Sequence, residues 1–141
     1  MKRHASAVWQ GGLKDGKGGI TTQSGVLHDT QYSFSTRFEN GVGTNPEELI
    51  AASHAGCFAM ALSAQLGEAG ITAERIDATA TVSLEKVEGG FAITESHLDV
   101  KVKIPGGDQA AFEKATQAAK AGCPISKVLN AKVTMTASLE T

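Results

Sequence analysis

The chain has 141 residues, 41% hydrophobic and 20% charged, which fits one globular domain over residues 1–141 and excludes a disordered tail. Thirteen basic and fifteen acidic side chains leave a net charge of -2 with no basic run to follow a phosphate backbone, so no nucleic-acid partner is expected. The start, Met1-Lys2-Arg3-His4, leads into the mixed segment Ala5–Gln10 and shows no secretory signal, so a cytoplasmic location is expected. In that reducing compartment Cys57 and Cys123 are expected to be free, metal-bound or catalytic, in preference to a permanent bridge.

In chain order, a mixed strand through Val8 and Trp9, a turn at Asp15-Gly16-Lys17-Gly18-Gly19 and a return from Ile20 to Ser24 predict a hairpin. Tyr32-Ser33-Phe34-Ser35 alternates aromatic and polar and predicts a third short strand, followed by a flexible loop at Glu39–Gly43. Thr44-Asn45-Pro46-Glu47-Glu48 predicts a helix start, with Asn45 at the N-cap, Pro46 at the first helical position and Glu48 completing a capping box. No residue from Leu49 to Leu66 is charged, and Ala, Gly and Ser are spread around the whole helix, which predicts a long buried central helix ending at Gly67. Its length also suits a membrane span, but Ser53, His54, Ser63 and Gln65 interrupt it, and no membrane partner is expected.

From Arg75 the period changes to two, with Ile76, Ala78, Ala80, Val82 and Leu84 sharing one face of a half-buried strand. Glu88-Gly89-Gly90 turns into a second strand whose apolar positions slip from odd, at Phe91 and Ile93, to even, at Leu98, Val100, Val102 and Ile104. That slip predicts a bulge near Glu95-Ser96. Pro105-Gly106-Gly107 ends the strand, Asp108 caps a helix with a stripe of Phe112, Ala115, Ala118 and Ala119, and a short helix follows from Pro124 to Leu129. A final strand runs through Val133, Met135, Ala137 and Leu139. The result is an α+β fold in the order βββ-α-ββ-α-β.

Gly11 through Lys17 imitates a phosphate-binding loop, but Gly18 stands where Ser or Thr is needed and no helix follows, so a hairpin turn is the better reading. His54, three residues before Cys57 on one helix face, offers with Cys57 and Cys123 a weak zinc-ligand pattern, although no second close pair exists. A helix-packing histidine is the plainer reading, and no metal is expected. Spacing alone favours Cys57 as a small buried thiol with a raised pKa. Cys123 lies between two predicted helices, near an N-terminus that favours a thiolate, so a reactive and an inert role both stand. Capping accounts for Glu48, whereas neither Glu47 nor Arg37 has an evident structural duty.

The segment Gly43-Thr44-Asn45-Pro46-Glu47-Glu48-Leu49-Ile50-Ala51-Ala52-Ser53-His54-Ala55-Gly56-Cys57-Phe58, with Ala121-Gly122-Cys123-Pro124-Ile125-Ser126, resembles the osmotically inducible and organic hydroperoxide resistance proteins (OsmC/Ohr). Ser24–Leu27, Thr36–Glu39 and Gly89–Thr94 extend the likeness over nearly the whole chain, and Thr36-Arg37-Phe38 resembles the osmotically inducible branch. The resemblance implies an OsmC-like fold, an intertwined homodimer and a thiol-dependent peroxidase for organic hydroperoxides. In it Cys57 matches the attacking cysteine, Cys123 the resolving one, and Arg37 and Glu47 the accompanying charged pair. It also implies a small dithiol reductant, lipoyl-type or other, while no haem or flavin signature accompanies the cysteines and no cofactor is expected.

The residue types suit that chemistry. A thiolate splits a peroxide bond, a guanidinium stabilises thiolate and leaving alkoxide, and a second thiol traps the sulfenic acid before further oxidation. Phe38, Phe58, Met60, Ile125 and Leu129, close in sequence to the cysteines or Arg37, suggest an apolar site preferring organic hydroperoxides to hydrogen peroxide. Ten residues separate Glu47 from Cys57, roughly 15 Å along a helix, so Glu47 is expected to serve Cys57 of a second copy. The rivals are a non-catalytic carrier of the same fold and a structural zinc protein.

Overall fold

The computed structural model describes residues 1–141 and contains six strands and four helices. They form two compact units, Met1–Leu49 and Ile50–Thr141.

In the first unit, β1 (Ala5–Gln10), β2 (Lys17–Thr22) and β3 (Thr30–Tyr32) form an antiparallel sheet in that spatial order. The expected hairpin is present, but its turn lies earlier than predicted: Lys17, Gly18 and Gly19 pair with Gln10, Trp9 and Val8 as the start of β2. The third strand lies earlier than expected and shares only Tyr32 with the predicted Tyr32–Ser35, because Ser33 starts helix α1 (Phe34–Phe38) with a reciprocal box: its hydroxyl accepts from the Thr36 amide, and the Thr36 hydroxyl accepts from the Ser33 amide. Four alternating residues did not distinguish a strand from one capped helical turn. The loop after α1 is tied down rather than free: the Thr44 amide donates to the Gln31 carbonyl, and the Gln31 side chain donates to the Val42 carbonyl. Gly43, at φ +138°, is needed here because a side chain would run into the Gln31 carbonyl.

Helix α2 (Pro46–Glu68) begins as expected, with the Asn45 side chain accepting from the Glu48 amide at 2.8 Å. The Asn45 amide group also donates to the Thr36 carbonyl, which joins the end of α1 to the start of α2. The expected capping box is only half formed, because the Glu48 carboxylate accepts from the Thr44 hydroxyl at 2.7 Å in place of the Asn45 backbone amide.

The second unit is built on β4 (Arg75–Val87), β5 (Gly90–Lys103) and β6 (Lys132–Glu140). β5 is central, antiparallel to β4 and parallel to β6. A parallel neighbour requires a crossover, and α3 (Gln109–Gly122) with α4 (Pro124–Val128) supplies it. Asp108 caps α3 by accepting from the Ala110 and Ala111 amides. The expected bulge lies one residue earlier than the phase slip suggested: Ser83 pairs with Glu95 and Leu84 with Ile93, so Thr94 is the extra residue. Downstream of it Leu98, Val100 and Val102 are buried and face Phe112, Ala115 and Ala119 of α3 and Phe58, Leu62 and Leu66 of α2 in one core.

The expectation that α2 is buried all round needs correction. One row, His54, Phe58, Leu62 and Leu66, is fully buried, while Ala52, Ser53, Gly56, Met60, Ser63 and Ala64 are exposed. A three-stranded sheet and one longer helix cover only one side of it. The chain therefore presents an uncharged helical surface, with Met60 77% exposed.

Candidate active site

Cys57 and Cys123 arrive from different elements. Cys57 lies in the middle of α2, on the flank of the buried row, and stays partly accessible. Cys123 is the joint between α3 and α4: its amide donates to the Ala119 carbonyl, and Pro124 prevents α3 from continuing and opens α4. The two sulfurs, 66 residues apart in sequence, stand 2.9 Å from each other as free thiols in hydrogen-bonding contact.

Their environments differ. Burial pushes the Cys57 thiol up, the bond to Cys123 pushes it further, and the backbone amide of Ile125 opposes both. Burial also acts to raise Cys123, but the bond to Cys57, the backbone amides of Ser126 and Ile125 and the Ser126 hydroxyl outweigh it and bring the thiol below its ordinary value. The two thiols share their protons, so the first negative charge belongs to the pair. Within this unit Cys57 is the accessible sulfur and Cys123 the fully buried one.

Behind the sulfurs lies a feature that sequence reasoning missed. His54 is fully buried with both ring nitrogens engaged, Nδ1 to the Ser96 hydroxyl at 2.6 Å and Nε2 to the Ser126 hydroxyl at 2.8 Å. Burial lowers its pKa, so the ring is neutral at pH 7. The available clue was Ser96, a polar residue in phase with Leu98, Val100 and Val102 on the buried face of β5.

In the first unit Arg37, in the last turn of α1, meets Glu47, in the first turn of α2. Nε and a terminal nitrogen of the guanidinium lie 2.8 and 2.7 Å from the same carboxylate oxygen. The other oxygen, Oε2, is buried without a hydrogen-bond partner. Arg37 also lines a cleft of about 280 Å³ together with Trp9, Leu13, Tyr32, Phe34 and Phe38. Of the apolar residues expected near the cysteines, Phe58 belongs to the core and Met60 to the exposed helix face. Ile125 packs partly buried against the core that includes Cys123.

The structure brings the expected residues together as two pairs, the thiols in one unit and the ion pair in the other. Such a thiol pair can donate electrons to an oxidant and close a disulfide.

Comparison with known proteins gives one family. The family model described as OsmC-like protein matches residues 38–138. The chain is 54% identical over 135 residues to the peroxiredoxin OsmC of Escherichia coli strain K12, covering 96% of this chain and 94% of that protein. It is 31% identical over 117 residues to the organic hydroperoxide resistance protein OhrB of Bacillus subtilis, covering 82% and 84%. The crystal structure of the Bacillus subtilis OhrB superposes with a TM-score of 0.71 at 30% identity, covering 96% of this chain and 98% of that one. A mixed α+β chain with that match and those relatives belongs to the OsmC-like protein family.

Proposed function

We propose that the chain is a cysteine-based peroxidase that reduces organic hydroperoxides to alcohols. The observation that carries this reading is the 2.9 Å approach of two free thiols, one accessible and one buried. The relatives named peroxiredoxin and organic hydroperoxide resistance protein support it.

The Cys57 thiolate attacks the terminal peroxide oxygen. An S–O bond forms, the O–O bond breaks, and the departing alkoxide takes a proton and leaves as the alcohol. Cys57 is then a sulfenic acid, and Cys123 displaces its oxygen as water while forming the disulfide. An external dithiol, lipoyl-type or another small one, returns both thiols by exchange. Metal and organic cofactor have no step in this sequence, and two free thiols suit the reducing cytoplasm.

Attack requires charge on Cys57, yet its own unit raises that thiol. A cation is needed nearby, and Arg37 is the candidate. Ten residues of helix hold Glu47 roughly 15 Å from Cys57. We therefore assign the Arg37–Glu47 pair of one copy to Cys57 of another, in an intertwined homodimer formed through the uncharged exposed face of α2. Ala52 and Gly56 allow close approach, and beyond the neighbouring backbone of its own helix nothing lies within 4 Å of where a Gly56 side chain would start. The two units then work as one domain, in keeping with a family match that runs across both.

The test is consumption of a reducing dithiol driven by an organic hydroperoxide. The wild type is expected to turn over and Cys57→Ser to be inactive. A non-catalytic carrier of the same fold predicts no turnover by either, and an active Cys57→Ser protein would also refute the reading.

A further inference from the structure

The peroxidase reading accounts for the two sulfurs and leaves a buried polar chain behind them unused. Ser96, His54 and Ser126 come from β5, α2 and α4. They are joined at 2.6 and 2.8 Å, and Ser126 stands in the first turn of α4, the short helix that Cys123 caps. A histidine packed merely for shape needs no such line of three elements ending three residues from a redox cysteine. Burying these groups is unfavourable unless each is paired.

We propose that this chain has one polarity and that it readies Cys123 for disulfide closure, with Ser126 as a catalytic residue and His54 as the positioning residue behind it. A neutral imidazole has one N–H. If Ser126 is to donate to the Cys123 sulfur, its oxygen must accept from His54 Nε2–H. Nδ1 must then accept from the Ser96 hydroxyl. The direction is Ser96 O–H to His54, His54 N–H to Ser126, and Ser126 O–H to the thiolate of Cys123. This order fixes the tautomer of His54 and favours the ionised sulfur without requiring an imidazolium.

The inference rests on the peroxidase reading for its timing. Once peroxide has turned Cys57 into a sulfenic acid, Cys123 loses the neighbouring thiol that helped to hold its charge. The polar chain that ends at Ser126, in the same short helix, remains. The Cys123 sulfur then attacks the Cys57 sulfur: the S–S bond forms, the S–O bond breaks, and hydroxide leaves. The proton given up by Cys123 ends on that hydroxide, so thiol plus sulfenic acid yield disulfide plus water. Cys57 sulfur is reduced and Cys123 sulfur oxidised by one unit each. A thiolate kept ready in this way shortens the life of the sulfenic acid and limits its over-oxidation.

The test is made in full-length Cys57→Ala protein, where Cys123 is the one thiol and its ionisation is read from ultraviolet thiolate absorbance. Ser126→Ala and His54→Leu should each raise its pKa by about one unit. Ser126→Thr, which keeps the hydroxyl, and His54→Gln, whose amide retains an N–H near Nε2, should stay close to the parent. Circular dichroism checks that each variant is folded, and the two conservative substitutions remain informative if His54→Leu is not. With Cys57 present, Ser126→Ala should slow disulfide closure by up to roughly tenfold. Unchanged Cys123 titration in both Ser126→Ala and His54→Leu would overturn the chain, and a response to Ser126→Ala alone would remove His54 from it. A wild type that consumes no hydroperoxide sinks the peroxidase reading instead, and the titration still decides this one.

Discussion

At the scale of single residues the two thiols have unequal surroundings, and their replacements should fail differently. Cys57→Ser should abolish even one turnover. Cys123→Ser should consume about one hydroperoxide per chain and then stall as a sulfenate open to further oxidation, as intact-mass measurement would show. His54 supplies a pH test. Its folded pKa lies below the ordinary value of 6.5, so the unfolded chain binds the extra proton first. Stability from this group is complete above about 6.5 and is lost as pH falls from there through the lower folded value. The acid-induced drop in chemical denaturation should therefore be smaller in His54→Gln than in wild type. Cys57, Cys123, Arg37 and Glu47 could all be singled out from the sequence, because each stands in a motif or lacks a local duty. The partners of His54 could not, since Ser96 and Ser126 lie 42 and 72 residues away and only the tertiary fold brings them to the ring.

At the scale of elements, α2 is started by local chemistry and held by one buried row. Asn45→Ala removes the acceptor for the Glu48 amide and the donor to the Thr36 carbonyl, and should cost about 1 kcal/mol in chemical denaturation. Phe58→Ala empties a fully buried position among Leu62, Leu98 and Phe112 and should cost about 3–5 kcal/mol. The elements with strong periodicity, β4, β5, α3 and β6, were legible because burial enforces period two or 3.6 over many residues. Helix α1 was not: its five residues are set by the Ser33–Thr36 box, a variant with Thr where Glu or Gln is the usual signal. The parallel pairing of β5 with β6 is likewise a property of the crossover and has no mark in either strand's own pattern.

At the scale of the whole molecule, the sequence indicated a helix too uniformly apolar for so short a chain, and the fold leaves one face of that helix outward. We assign that face to a second copy. Sedimentation should give a dimer, and Met60→Glu, which places a charge on the exposed face, should weaken it. Mixing Cys57→Ser with Glu47→Ala under subunit exchange should restore some activity, because one site in each heterodimer would have both groups intact. No recovery despite demonstrated exchange and a clear Glu47→Ala defect would place Glu47 and Cys57 of the same chain in one site. The central claim, that Cys57 and Cys123 form a peroxide-driven redox pair, is tested most directly by peptide mass spectrometry after one equivalent of an organic hydroperoxide. The account predicts a Cys57–Cys123 disulfide within one chain that a dithiol reverses, and oxidation of Cys57 without that bond would contradict it.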